Sequence, residues 1–434
     1  MKCEQRRVVL TGLGPVTAIG VGKDTLWNSV MEGRTGLEKV PLRIEDEKWV
    51  DFWAHRIDHF DIADFNIEQF VLDDIASWKK GKEDRDLLYL LAAVKLALDD
   101  SGLKYDREDN DVALFLTVEQ PGFERFCSEL IGEALAYTRE HFESDRHFAK
   151  VEIFKHLFDK MGASGYDLQT FMYLFLVAKA FGIHGYSLFT NNACASGLFA
   201  IESAARQIKY GGSDTAIVAG GDYPCTLFKY LWFRERNLYA EDGRIKPFSR
   251  VANGIVLGDG ASALVLEELN HARNRNAHIY AEFVGAGLSL EGWKVVLPNI
   301  GGNSYQKAIK EVLTSTSINP EAIDLINPHG VGIKITDKYE AMAINEVFGK
   351  GRNHVTAFKP YVGHNLGGSA LMETIILLMS MHHNIIPPTL NAGNYDADYN
   401  LNLITRAKRV TLDTVMKLSC GFAGYNAAAI FRKL

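Results

Sequence analysis

Short continuous apolar runs alternate along this chain with longer stretches of helical periodicity. Val8-Val9-Leu10 runs into the glycine-marked segment Thr11-Gly12-Leu13-Gly14. Residues 112–117, 216–219 (followed by Gly220-Gly221), 261–266 and 281–285 repeat the strand-like signature. Residues 84–101 (DRDLLYLLAAVKLALDDS) place apolar side chains three and four apart and stop at Gly102, which predicts an amphipathic helix with a glycine end. Strands that are apolar throughout are buried on both faces, so the pattern predicts an α/β layered fold.

The pattern also repeats at long range. Asn192-Ala193-Cys194-Ala195-Ser196-Gly197 opens the helical stretch LFAIESAARQIKYG, which leads to TAIVAGG. Gly363-His364-Asn365-Leu366-Gly367 opens GSALMETIILLMSM, which leads to IIPPTL, and VVLTGLG has a counterpart in AEFVGAG. We read two similar halves, residues 1–265 and 266–434, with generic strand–helix similarity as the alternative. Residues 120–180 are rich in Phe, Tyr, Glu and His, read as mostly helical and have no counterpart in the second half. An insertion of this kind forms a cap, a substrate wall or a subunit interface.

Charge and cysteine usage narrow the function. The 434 residues carry a net charge of −7, which argues against a general nucleic-acid binder. No apolar run is long enough to span a bilayer, and the charged start MKCEQRRVVL does not read as a secretory signal. Cys3, Cys127, Cys194, Cys225 and Cys420 are odd in number and widely spaced, which fits neither a disulfide framework nor a zinc site and suggests a reducing, cytoplasmic setting.

Among them Cys194 stands out. It lies between the strand-like SLFTNN and a helix, where the helix N-terminus favours a thiolate and small neighbours leave room for an acyl group. A buried small residue in a tight turn is the bland alternative. His329 (LINPHGVGIK) and His364 (FKPYVGHNLGG) also sit in glycine-bounded loops between a strand and a helix, with Lys359 shortly before the second. One cysteine with two such histidines suits acyl transfer in which neutral imidazoles donate hydrogen bonds to a thioester enolate. Leu257-Gly258-Asp259-Gly260 reads as a turn between strands, and Ser419-Cys420-Gly421-Phe422-Ala423-Gly424 as a late loop whose Phe422 either swings or anchors. Glu373 and Asp337 read as helix-borne caps or ion-pair partners.

Together these segments resemble the β-ketoacyl-acyl-carrier-protein synthases of type II fatty acid and polyketide synthesis, elongating condensing enzymes of the thiolase superfamily. The motifs ACASG, YGGSDTAIVAGG, IVLGDGASALVLEE, NPHGVGIKITDKYEA, FKPYVGHNLGGSALME and LSCGFAGYNAAAI occur in the family's order, and only residues 115–185 match poorly. The resemblance implies a thiolase-like five-layered α-β-α-β-α fold. It implies Cys194 as the acyl-accepting nucleophile, His329 and His364 as assistants to malonyl decarboxylation, and Lys359 as the residue ordering the His364 region. Phe422 becomes the gating aromatic and second oxyanion donor beside Cys194, and Glu373 a supporting residue behind the site. It implies no metal and no cofactor beyond the pantetheine of a partner acyl carrier protein, and a homodimer or a heterodimer with a second synthase-like subunit, formed through SLFTN. Arg234, Arg236, Arg244, Lys246 and Arg250 offer a basic patch for an acidic carrier, or an ordinary solvated loop.

The departures point to a specialised pathway, such as a polyketide or polyene. Where the family shows Gly-Thr-Ser-Thr after the first histidine, this chain has Gly330-Val331-Gly332-Ile333, so two pantetheine-binding hydroxyls are missing. Each lost hydrogen bond is worth about 0.5–1.5 kcal/mol. TVEQPGF replaces a glycine-rich segment, and Ala423 replaces a glycine beside Phe422, which stiffens the gate. Two alternatives stay open: a non-catalytic subunit resembling a chain-length factor, and acyl transfer or decarboxylation without chain elongation.

Overall fold

The computed structural model describes residues 6–44, 47–78, 83–141 and 148–434, so Cys3 lies outside the described residues. The first half begins with β1 (Val8–Thr17), buried along its whole length. Of the elements that frame the site, α1 (Arg85–Ser101) follows, where the Asp84 carboxylate caps the Leu87 N–H and Gly102 ends the helix at φ 60°. β2 (Ala113–Thr117), α2 (Phe123–His141), α3 (Phe148–Ser164) and α4 (Thr170–Phe181) follow. Then come β3 (Ser187–Phe189), α5 (Ser196–Lys209), β4 (Thr215–Asp222) and β5 (Gly260–Glu268). The second half contains β6 (Ala281–Leu290), α6 (Ser304–Thr316), β7 (Leu325–Asn327), α7 (Lys334–Phe348), β8 (His354–Val355), α8 (Ser369–His383), β9 (Thr414–Cys420) and β10 (Tyr425–Arg432).

Strand order shows the duplication directly. The first set runs β1-β5-β4-β2-β3 and the second β6-β10-β9-β7-β8. In each set the first two pairings are antiparallel and the last two parallel. The sets join edge to edge through a short antiparallel pairing of β1 with β6, from Val8 opposite Phe283 to Leu10 opposite Ala281.

Three cores separate five layers. The largest lies between the two strand sets and is filled by α5 and α8, with Leu198, Ile201, Leu371 and Ile375 against Phe115, Val218, Val415 and Ala429. The outer face of the first set packs on α1 and α4, where Leu90, Val94 and Leu176 meet Leu114 and Ile217. The outer face of the second set packs on α6 and α7, where Ile309 and Ile344 meet Met416 and Ile430. This is the expected α-β-α-β-α arrangement.

The paired glycines of the two opening strands have a common physical cause. A Cβ on Gly14 of β1 would stand 2.0 Å from the Ala93 carbonyl oxygen of α1, and one on Gly287 of β6 would stand 2.0 Å from the Ala308 carbonyl oxygen of α6. Each strand therefore lies directly against a helix backbone, which only glycine permits.

Two expectations need correction. IIPPTL does not return to the main sheet after α8, because Ile385–Ile386 pairs instead with Lys408–Arg409. The prolines that follow have no N–H to give to a ladder, and the equivalent of β4 is β9, further along the chain. Leu257–Gly258, read as a turn, is a short strand running parallel to Ala54 and His55.

The region of residues 120–180 folds as α2, α3 and α4. α4 buries Tyr173 and Val177 in the outer core of the first half, while Phe154, Phe158 and Met161 of α3 are exposed.

Gly14→Ala and Gly287→Ala should each destabilise the protein by about 1–3 kcal/mol through overpacking. Gly393→Ala, where an added Cβ meets nothing within 4 Å, should be close to neutral. Urea denaturation midpoints test this, and equal midpoints for all three would contradict the close-packing account.

Candidate active site

Cys194 sits in the turn that feeds α5. Ala193 before it adopts φ 51°, a left-handed conformation unusual for a residue with a Cβ. The turn is clamped from both sides. Asn192 N–H donates to Ser196 Oγ at 2.7 Å, and Ser196 Oγ donates to the Ala193 carbonyl. Ser419 Oγ, from β9, donates to the Cys194 carbonyl at 3.0 Å. Gly421 closes the other side, where a Cβ would lie 3.1 Å from Cys194 N.

His329 follows β7 in a loop held by one carboxylate. Glu340 accepts the His329 N–H at 2.6 Å and the Gly330 N–H at 2.9 Å. Asp337 fixes the next turn by accepting the Gly332 and Phe248 N–H groups. His364 lies before α8, and its backbone bridges to Leu257. The helix arrives close to Cys194 because α5 and α8 touch at Gly197, where a Cβ would stand 3.0 Å from Leu371 N.

The two imidazoles face each other with ring centroids 5.5 Å apart and planes at 78°. They line one cavity together with Cys194, Phe422, Val331 and Ile333. Each ring has its Nδ1 engaged. His329 Nδ1 is 3.3 Å from the Lys359 ammonium, a donor only. His364 Nδ1 accepts the Leu366 N–H at 3.2 Å and lies 2.7 Å from Ser369 Oγ. Both Nδ1 atoms therefore act as acceptors, which leaves the ring proton on Nε2. Burial, reinforced by Lys359 and Lys417, holds both imidazoles well below the ordinary histidine range, so both are neutral.

Behind the rings lies a buried charge cluster. Lys359 Nζ donates to the Glu373 carboxylate and to the His329 carbonyl. Lys417 Nζ donates to the other Glu373 oxygen at 2.9 Å and to the Pro328 carbonyl at 3.1 Å. Burial pushes Lys417 down to about 8. The Lys359 ammonium bonds His329 and Glu373, and its carbonyl accepts the Gly363 N–H at 2.8 Å, one residue before His364. Lys417, Glu340 and Ser369 did not stand out in the sequence. A lysine in the otherwise apolar strand TVMKLSC was the one available signal.

Burial pushes the Cys194 thiol up to about 12; Glu119 adds to this and Lys359 opposes it. Burial thus opposes the thiolate that the helix N-terminus favours. Cys420 lines the same cavity with its thiol also raised by burial. Phe422 packs against Trp232 and Phe233 at centroid distances of 5.6 and 6.1 Å. Beside it Ala423 holds φ 60°, so the Cβ that replaces a glycine sits in a strained conformation.

Of the basic residues, Arg234, Arg236, Arg244 and Arg250 are exposed and only Lys246 is buried. Arg234 pairs with Glu241, Lys246 with Asp242, and Arg250 with Asp396. The Arg236 guanidinium stacks 4.0 Å from the Trp232 ring centroid. Val295 and Leu297 are exposed at the cavity beside Lys294 and Glu291.

Comparison with known proteins identifies the family. The family model described as "Beta-ketoacyl synthase, N-terminal domain" matches residues 5–272, and its C-terminal counterpart matches residues 280–393. The chain is 28% identical to 3-oxoacyl-[acyl-carrier-protein] synthase 2 of Coxiella burnetii over 445 residues, covering 99% of each. The structure described as the ishigamide ketosynthase/chain length factor superposes with a TM-score of 0.84 at 27% identity, covering 99% of this chain and 100% of that one. A β-ketoacyl synthase from Burkholderia phymatum STM815 superposes at 0.80 with 25% identity, covering 99% of this chain and 100% of that one. The chain belongs to the β-ketoacyl synthase family and is an acyltransferase of the condensing type.

Proposed function

We propose that the protein catalyses decarboxylative Claisen condensation, joining an acyl group held on Cys194 to a malonyl unit delivered by a carrier protein. The observation that carries this reading is the convergence of Cys194 with two neutral imidazoles whose Nδ1 atoms are both engaged. In the first half-reaction Cys194 sulfur attacks the acyl thioester. The pantetheine sulfur leaves and takes up the Cys194 proton. In the second, the malonyl carboxylate departs as CO2, and the electron pair of the broken carbon–carbon bond becomes the enolate of the thioester. Nε2–H of His329 and of His364 donates to that enolate oxygen. The enolate carbon attacks the Cys194 thioester, whose oxyanion is held by the Cys194 and Phe422 N–H groups. Cys194 sulfur is expelled and reprotonated, and the product is a 3-oxoacyl chain two carbons longer.

The buried cations also fit the chemistry. Lys359 and Lys417 share the single Glu373 carboxylate and oppose protonation of the imidazoles, which keeps those rings as donors through Nε2 alone. Glu373 and Lys359 act as positioning residues, and Phe422 as the gate, with Ala423 restricting its swing. Division of labour between residues 1–265 and 266–434 follows the same reading: the first half supplies Cys194, the second both histidines.

The partner is an acyl carrier protein, and pantetheine on that partner is the only prosthetic group the reaction needs. The arm enters between Val331, Ile333, Val295 and Leu297, an apolar passage in place of a hydroxyl-lined one. That difference favours a specialised polyketide-like or polyene-like pathway in the cytoplasm. β3 forms the edge of its sheet, which suits pairing with a second copy or a related subunit. A chain-length-factor role fits less well, because the nucleophile and both histidines are retained.

Three outcomes follow. Cys194→Ala should abolish acyl transfer from an acyl carrier protein, scored by intact-protein mass, while His329→Ala and His364→Ala should keep acylation but lose at least 100-fold in malonyl decarboxylation, on the scale of positioned donors, about 10²–10³. Full condensation by Cys194→Ala would sink the reading. Alkylation of Cys194 by iodoacetamide should quicken roughly tenfold per pH unit from pH 7 to 9, since its thiol titrates far above that window; a plateau below pH 8 would contradict the raised thiol. Val331→Thr with Ile333→Thr should lower the KM for a generic fatty-acid carrier protein by about threefold to tenfold for each hydrogen bond restored; an unchanged or higher KM would remove the loop from the account.

A further inference from the structure

The ends of β2 and β3 carry side-chain oxygens that lack hydrogen-bond partners. Thr117 closes β2, and Glu119 lies two residues beyond it. β3 runs parallel to β2 with Leu116 opposite Phe189, which sets Thr190 opposite Thr117. The pairing holds to that point, because Thr190 N–H donates to the Leu116 carbonyl at 2.9 Å. Thr117 Oγ1, Glu119 Oε2 and Thr190 Oγ1 are all buried without a partner among the described residues. An unpaired buried oxygen is costly, so three in one patch mark a place where a polar group belongs.

The patch adjoins the nucleophile. Asn191 Nδ2 donates to the Glu119 carbonyl at 3.0 Å, and Asn191 Oδ1 accepts the Ala193 N–H at 3.2 Å, next to Cys194. Gly367, just before α8, adjoins the patch: a Cβ there would make ordinary contact with Asp222 Oδ2 and Thr117 Oγ1, each at 3.4 Å, and with Glu119 N at 3.6 Å. None of the three residues lines the cavity that holds His329 and His364. The patch therefore approaches Cys194 from the β2–β3 end. The carrier arm and the malonyl unit must occupy the cavity to reach the histidines, which leaves this end for the acyl chain. Burial, with Asp222 nearby, pushes the Glu119 carboxyl up to about 7, so near neutral pH it can donate as well as accept.

We propose that Thr117, Glu119 and Thr190 form a polar acyl subsite that selects an acyl group bearing a hydroxyl or keto oxygen over a plain alkyl chain of the same length. The proposal rests on Cys194 being the acyl acceptor.

The test compares 3-hydroxyhexanoyl-pantetheine with hexanoyl-pantetheine as acyl donors to the full-length protein, following Cys194 acylation by intact-protein mass. The unsubstituted protein should take the hydroxylated chain at least about tenfold faster, because a site built to hydrogen-bond an oxygen rejects the analogue lacking it. Glu119→Leu should bring the ratio of rates close to one, Thr190→Val should lower it part of the way, and Glu119→Gln should keep most of it. The ratio is internal to each variant, so general damage to Cys194 lowers both rates together and leaves it unmoved. Equal rates or a hexanoyl preference in the unsubstituted protein, or the same ratio in Glu119→Leu and Thr190→Val, overturns the subsite. Acylation by neither thioester overturns the acyl-acceptor reading instead.

Discussion

One buried carboxylate, Glu373, bridges two buried ammonium groups, and the rest of the site depends on it. Glu373 lies on α8, Lys417 on the central strand β9, and Lys359 on the short helix Lys359–Val362. Taking three charges out of water is costly unless each is paired and hydrogen-bonded, and here each ammonium also donates to a backbone carbonyl of the His329 loop. Helix, strand and loop are thus tied at one point immediately behind the imidazoles. Replacing Glu373 alone would leave two uncompensated cations, which costs far more than an exposed pair.

The duplication explains how the chemistry converges. α5 and α8 are equivalent helices in equivalent strand sets, and both lie in the layer between the sets. Their N-termini meet where Gly197 admits the backbone of Leu371. One N-terminus is preceded by Cys194 and the other by His364, so a symmetric scaffold presents two different reactive groups to a common space. β7 then delivers His329 from the second half, and Glu340 of α7 fixes its loop by holding two successive N–H groups.

Much of this was legible locally. The glycine pairs in VVLTGLG and AEFVGAG marked strands that lie against helix backbone, and the loops around Cys194, His329 and His364 could be read from their small residues. What escaped depended on long-range pairing. Lys417 looks misplaced in an apolar strand until Glu373 arrives from α8. Arg250 pairs with Asp396, which lies far along the chain. The helix N-terminus at Cys194 argued for a thiolate, and the depth of burial, which opposes it, is invisible in the sequence. IIPPTL followed an apolar helix as a strand would, and only its prolines hinted that it leaves the sheet.

The central claim is that both site imidazoles stay neutral with the proton on Nε2, poised as donors. Nitrogen-15 chemical shifts of labelled histidine, recorded from pH 5.5 to 8 and assigned with His329→Gln and His364→Gln, read this directly among the 13 histidines. The account predicts two rings that keep the Nε2–H tautomer across the whole range. Protonation of either ring near pH 6.5, or a proton found on its Nδ1, would contradict it.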